Sequence, residues 1–318
     1  MARICIVTPA RPGARNGNRH TAQRWAGFLR AAGHRVSVVL EWEGKPCDLL
    51  LALHARRSHS SVVAYRKKYP DKPLVVALTG TDLYRDLPAS RDARESLRLA
   101  DRVIVLQDDA LRLLDKSTRK KARVVYQSAT PSVRHFPPKA PLRVAIVGHL
   151  REEKDPFRAV LALSCLEQDL EVVQVGDALS PQTRKQAKEH MRRDRRYRWL
   201  GGLSHPRAMA WIARSHLLVV SSLMEGGANV ISEAARIGTP VLASRMSGNL
   251  GMLGRGYPGY FPLGDERALG KLIERAVAEK RFYKRLKRAL AARRRLFAPA
   301  AERRALHAAI RDCVESRR

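Results

Sequence analysis

Short runs of aliphatic and β-branched residues alternate with longer helix-spaced segments along this chain, and after a proline-rich break the alternation begins again. Residues 4–7, 35–40, 49–53, 74–78, 103–106 and 124–126 have the continuous apolar character of strands buried on both faces, which is how a parallel sheet reads. Between them, 21–32 and 91–100 carry apolar residues at helical spacing. The segment 134–141 holds Pro137, Pro138 and Pro141 and reads as a linker, because proline interrupts helix and strand alike. Beyond it, 144–147, 171–175, 198–200, 217–220, 241–243 and 259–262 read as strands, with helices beginning near Pro156, Pro206, Gly227 and Asp265. Two such series predict an α/β protein of two Rossmann-like, doubly wound domains facing a central cleft. The expected domains are 1–138 and 139–300, with a C-terminal helix in 301–318 that can cross back to the first.

Composition removes several other classes. At 318 residues and 45% hydrophobic content the chain can fill two cores, which excludes disorder as its main state. No apolar stretch approaches the roughly 20 residues of a membrane-spanning helix. The start, Met1-Ala2-Arg3 and a short apolar run, lacks the plan of a secretory signal, so a cytoplasmic location is expected. Cys5, Cys47, Cys165 and Cys313 form no C-x-x-C pair and are expected to be buried thiols. Lys and Arg number 61 against 30 Asp and Glu, a net charge of +31. Nucleic acid, an anionic membrane surface, an anionic small substrate or an arginine-rich genome would each account for it, and Arg is spread over the whole chain.

Five polar clusters follow predicted strands. After residues 4–7 comes a loop with Gly13, Arg15, Asn16, Gly17, Asn18, Arg19 and His20 ahead of a helix, where backbone N–H groups and cations can meet an anion. The alternative is a polar surface loop capped by Thr21, and the glycines do not form a G-x-G-x-x-G fingerprint. His54, Arg56 and Arg57 follow 49–53, and Thr79, Gly80 and Thr81 follow 74–78. Ligands of open α/β sheets bind beyond the carboxyl ends of the strands, so these three clusters share one predicted rim. In the second half, Arg151 and Lys154 follow 144–147 and are placed to reach a diphosphate. The sharpest pattern is Glu225-Gly226-Gly227-Ala228-Asn229-Val230 with Glu233 eight residues after the first carboxylate. Amides of 227–230 open a helix toward a phosphate or sugar oxygen, while the two carboxylates suit hydroxyls of one ligand.

At these residues the sequence resembles the retaining-type glycosyltransferases of family four, which adopt the two-domain GT-B arrangement. Glu225 and Glu233 match their E-x7-E motif, and Arg151 and Lys154 their basic pair. The resemblance implies that Glu233 binds the nucleotide ribose, that Glu225 and the amides after it contact the donor sugar, and that Arg151 and Lys154 neutralise the diphosphate. It places uracil against Gly202 and Leu203. More narrowly, the strings 6–10 with 16–21, 53–58, 78–84 and 224–229 resemble the selenosugar synthases of selenoneine biosynthesis. That resemblance implies a UDP-sugar donor, UDP-N-acetylglucosamine or UDP-glucose, and selenophosphate as acceptor. Thr79 stands where many family-four enzymes have a histidine near the reacting centre; an anionic selenium nucleophile needs cations more than a base.

No D-x-D pair sits at a predicted strand end, so no metal and no resident cofactor are expected. The alternative is an ordinary family-four transferase with an alcohol or lipid acceptor, its basic segment 280–296 lying on an anionic membrane through Phe282, Tyr283, Leu286 and Leu290; the reading such a segment more commonly carries is a packed helix with a solvated face. No nucleic-acid partner is expected, since Glu225 and Glu233 would repel phosphates in the groove. No stable membrane insertion is expected either.

Overall fold

The computed structural model describes residues 1–13 and 17–315. The chain forms two compact units, Met1–Gln127 with Pro299–Arg318, and Ser128–Ala298.

In the first unit all six strands are parallel: β1 (Arg3–Val7), β2 (Arg35–Val39), β3 (Leu49–Leu53), β4 (Leu74–Leu78), β5 (Arg102–Val105) and β6 (Ala122–Val124), in the order β2-β1-β3-β4-β5-β6. Both β3 and β4 are buried along their whole length, as their unbroken aliphatic sequences require of strands covered on both faces. Helices α1 (Gly17–Ala31), α2 (His59–Lys68) and α3 (Arg91–Leu99) belong to this unit. Helix α1 starts four residues before the sequence suggests, so Thr21 lies inside it, buried, donating to Gly17 O at 2.8 Å and accepting from Gln127 Nε2. Helix α2 lies outside the helices expected from the sequence; it buries Ser61, Val62 and Tyr65.

The second unit repeats the plan with β7 (Leu142–Val147), β8 (Leu170–Val175), β9 (Tyr197–Trp199), β10 (Leu217–Val220), β11 (Val241–Ser244) and β12 (Tyr260–Phe261), all parallel, in the order β12-β11-β10-β7-β8-β9. Its longer helices are α4 (Pro181–Arg193), α5 (His205–Ala213), α6 (Asn229–Ile237), α7 (Ser247–Leu253), α8 (Glu266–Ala278) and α9 (Lys280–Arg293). The last helix, α10 (Pro299–Glu315), packs in the first unit, where Leu306, Ala309, Ile310 and Cys313 join Ile4, Ile6, Trp25 and Leu51. Glu302 of α10 is buried and accepts from Trp25 Nε1 at 2.7 Å and Arg24 Nε at 2.8 Å.

Two expectations need correction, and one alternative reading is set aside. The proline-rich segment 134–141 is no free linker: the amides of His135 and Phe136 donate to Ile237 O and Ala213 O, at 3.3 and 2.8 Å, so it is strapped to the second unit. Of the two readings of 280–296, the packed helix is the one found: Phe282, Leu286 and Leu290 of α9 are buried and Tyr283 donates to His216 O at 3.0 Å. Cys165 is exposed, while Cys5, Cys47 and Cys313 are buried as expected. No helix among the described residues is long and apolar enough to cross a membrane.

Candidate active site

In each sheet the strand order reverses at one point, and a crevice opens there beyond the carboxyl ends of the strands. In the second unit the reversal falls between β7 and β10, and the loops that follow these two strands carry Arg151, Lys154 and Glu225. The loops are stitched together by backbone: Leu223 N donates to Glu153 O at 2.9 Å, and Ser221 Oγ to Asp155 O at 2.7 Å. This joins Lys154 Nζ to Glu225 Oε2 in an ion pair, with Ser222 Oγ 3.4 Å from the same oxygen. Arg151 Nη1 lies 3.2 Å from Glu153 Oε1. A narrow pocket lined by Gly148, His149, Lys154, Gln174, Ser222 and Val230 opens at the same point. Gly176 is required beside it: its φ is +152°, and a Cβ there would overlap the Gly148 carbonyl.

Gly226, Gly227 and Ala228 precede α6, which begins at Asn229 and not at Gly227. Ala228 is the N-cap residue, so the amides of Asn229 and Val230 belong to the first turn, where no internal acceptor exists for them. Glu233 lies on the second turn, largely buried, with Oε1 2.7 Å from His205 Nε2. The loop ahead of His205 is held from both sides. Gly176 N donates to Gly201 O at 2.8 Å, Gly202 abuts Asp177, and Leu203 packs with Val173, Val175 and Ala208.

In the first unit the reversal falls between β1 and β3. The predicted rim begins in the loop after β1, where Arg15 and Asn16 lie outside the described residues; Gly17, Asn18, Arg19 and His20 form the first turn of α1. The clusters after β3 and β4 meet. Asp82 is fully buried and accepts from the amides of Ala55, Thr79, Gly80 and Leu83 at 2.7–3.2 Å. The amides of Thr79 and Gly80 are therefore engaged by Asp82. His54 has a left-handed backbone, φ +75°, and is buried. Its Nδ1 accepts from Arg57 N at 3.3 Å, which leaves Nε2 as the donor to Thr81 Oγ1 at 3.2 Å. Burial holds this imidazole below its ordinary pKa, Asp82 and Asp86 opposing, Arg56 and Arg57 reinforcing. Arg56 is exposed but tethered, its Nε 3.0 Å from Asp86 Oδ2; Arg57 is exposed.

Asp82, Asp86 and His205 were not assigned roles from sequence. A carboxylate three residues after Thr79 could have been recognised as a turn-closing acceptor. His205, 28 residues from Glu233, gave no local signal. Among the described residues no group of three or more His, Cys, Asp or Glu gathers in a way that could hold a metal ion.

The sequence model of the family "Glycosyl transferases group 1" matches residues 132–293, half of the chain and nearly all of the second unit. The chain belongs to this family, and it is a glycosyltransferase. Among solved structures it is similar to HepE of Anabaena in complex with UDP and glucose, at 16% identity and TM-score 0.78, over 98% of this chain and 100% of that one. It is also similar to sucrose-phosphate synthase of Thermosynechococcus elongatus, at 17% identity and TM-score 0.81, over 99% of both chains. A third is the lipopolysaccharide outer core galactosyltransferase WaaB in its apo form, at 16% identity and TM-score 0.72, over 98% of this chain and 99% of that one. At such identities the likeness is one of fold: two Rossmann-like domains of the GT-B class.

Proposed function

We propose that this glycosyltransferase takes a sugar from UDP-N-acetylglucosamine or UDP-glucose and joins it to the selenium of selenophosphate. The observation that carries the donor half is the pairing of Lys154 with Glu225 at the β7/β10 reversal, with Glu233 one helix turn into α6. UDP bound in the HepE complex supports the same choice of nucleotide. In this reading Glu233 accepts from ribose hydroxyls, uracil rests on Gly202 and Leu203, and Glu225 with the amides of Gly226, Gly227, Ala228, Asn229 and Val230 holds the sugar and phosphate. Arg151 and Lys154 stabilise charge as the bond from the anomeric carbon to the diphosphate oxygen breaks. That charge needs no divalent ion if the two cations and the amides supply it.

The acceptor half rests on the first unit. Thr79 stands after β4 where the resemblance to family four implies a histidine, and His54, whose Nε2 meets Thr81, is buried and engaged through both ring nitrogens. What the rim offers is cations, Arg19, His20, Arg56 and Arg57, with Asn18, Thr79 and Thr81 as neutral partners; Arg15 and Asn16, outside the described residues, are assigned to it from sequence alone. A selenium lone pair forms the C–Se bond while the C–O bond breaks and UDP leaves with its electrons. Water then cleaves the Se–P bond, giving phosphate and a selenol sugar. The deciding experiment is mass spectrometry of products from selenophosphate and a panel of UDP-sugars. A sugar bearing the selenium isotope pattern is the expected result. An alcohol glycosylated instead, with no selenium-bearing sugar, would replace this reading with that of an ordinary transferase.

A further inference from the structure

We propose that His205 is a positioning residue for the donor: it fixes one oxygen of Glu233 so that the other is presented to the nucleotide ribose. This rests on the reading of Glu233 as the ribose ligand.

The geometry is specific. His205 Nε2 lies 2.7 Å from Glu233 Oε1, and since a carboxylate only accepts, Nε2 carries the proton. The Glu233 side chain is 11% exposed and that of His205 56%, so the pair sits at a surface with the imidazole on the outside. The partners come from different helices, which removes the option of a local contact within one turn. His205 is the first residue of α5 and is followed by Pro206, whose fixed φ sets the direction of the first turn. The far ends of α5 and α6 are tied as well, Thr239 Oγ1 donating to Ile212 O at 2.9 Å. Both backbones are thus fixed, and the imidazole can hold the carboxylate in one orientation.

A glutamate free to rotate would lose side-chain entropy on binding a hydroxyl; one already held by a second group has lost it beforehand. Among the described residues Oε1 is the oxygen engaged, and Oε2 is left for a ligand. Three residues upstream of His205, Gly202 begins the loop proposed for uracil. The proposed base seat is thus three residues along the chain from the imidazole, which itself meets the carboxylate.

The test is calorimetry on the full chain with UDP and with its 2′,3′-dideoxy analogue. His205→Ala should weaken UDP by about tenfold and leave the dideoxy analogue nearly unchanged, a size common for coupled neighbours. His205→Gln, whose side-chain amide can donate from a similar place, should recover most of the loss. In a Glu233→Gln background, His205→Ala should add little. Equal losses for both nucleotides, a full additional loss in the Glu233→Gln background, or wild-type affinity in both His205 variants would each overturn the positioning role. Glu233→Gln binding UDP as tightly as wild type would overturn the ribose reading, and the proposal with it. A weakened Glu233→Gln beside unchanged His205 variants overturns the proposal alone.

Discussion

In the first unit the carboxylate that follows β4, Asp82, is fully buried and takes four backbone N–H groups, from Ala55, Thr79, Gly80 and Leu83. In the second unit the carboxylates that follow β10 are held by side chains, Glu225 by Lys154 and Glu233 by His205. Backbone donors are fixed by the fold and cannot move to a ligand. An ammonium or an imidazole can rotate, share its proton or exchange partners. Carboxylates beyond strand ends are thus held in two ways: Asp82 closes a loop through backbone donors, whereas Glu225 and Glu233, held by side chains, are the ones proposed to meet a ligand.

Removing Asp82 should therefore have the largest effect on folding. Asp82→Ala leaves buried amides without acceptors, at roughly 1–3 kcal/mol for each group that water does not reach, so a loss of at least about 3 kcal/mol is expected. Denaturant unfolding would measure it. Asp82→Asn, which keeps shape and one acceptor oxygen, should lose less. Wild-type stability in Asp82→Ala would break the contrast between the units at once.

For the second unit the expected loss is in rate. Arg151→Ala and Lys154→Ala should fold normally and reduce turnover by about 10²–10³, the usual cost of removing one donor aimed at developing charge. Near-normal turnover in either variant would remove that residue from the mechanism. Wild-type turnover should survive EDTA; a strict need for magnesium or manganese would contradict stabilisation by side chains and amides alone.

A finer contrast lies within the second unit. Glu233→Ala should weaken UDP through lost hydrogen bonds to a charged acceptor, each worth roughly 1.5–3 kcal/mol. Glu225→Ala should lower turnover more than UDP affinity, since its expected contact is with the sugar. Calorimetry set beside steady-state rates separates the two, and an unchanged UDP affinity in Glu233→Ala would sink the ribose assignment.

The strands were legible in the sequence because a parallel sheet buried on both faces requires unbroken aliphatic runs, and Leu49–Leu53 or Leu74–Leu78 can be little else. The segment 134–141 misled because three prolines look alike in a linker and in a strap; the partners that decide, Ala213 and Ile237, are distant in sequence. The spacing of Glu225 and Glu233, on which the donor proposal rests, was visible because the two occupy one loop and the helix it opens. The contact of His205 with Glu233 was not, since it forms only after α5 and α6 pack. The rim of the first unit reads in sequence as a set of cations; Asp82 had a local turn signal, whereas the partial neutralisation of Arg56 by Asp86 emerges only from the fold.

The smallest expected effect concerns acid, and it also separates the units. His135 of the second unit donates from Nε2 to Ser215 O at 3.0 Å, and its Nδ1 lies 3.4 Å from Lys287 Nζ. Burial is the main cause that lowers its pKa from 6.5 to about 4, with Lys287 and His216 adding to it and the Ser215 carbonyl opposing. A histidine depressed in the folded state binds its proton more readily once unfolded, so stability falls as pH drops from about 6.5 to about 4 and levels off below. In the first unit His54 is lowered in the same direction, but Asp82 and Asp86 oppose the shift. The second unit should therefore show the larger acid loss per histidine, on the order of 1–2 kcal/mol after allowance for partial solvent exposure. Denaturant unfolding of wild type and His135→Gln between pH 7.5 and pH 4, values chosen to span that window, should show a shallower decline in the variant. Parallel declines would mean that the neutral state of His135 does not govern the acid sensitivity of its unit.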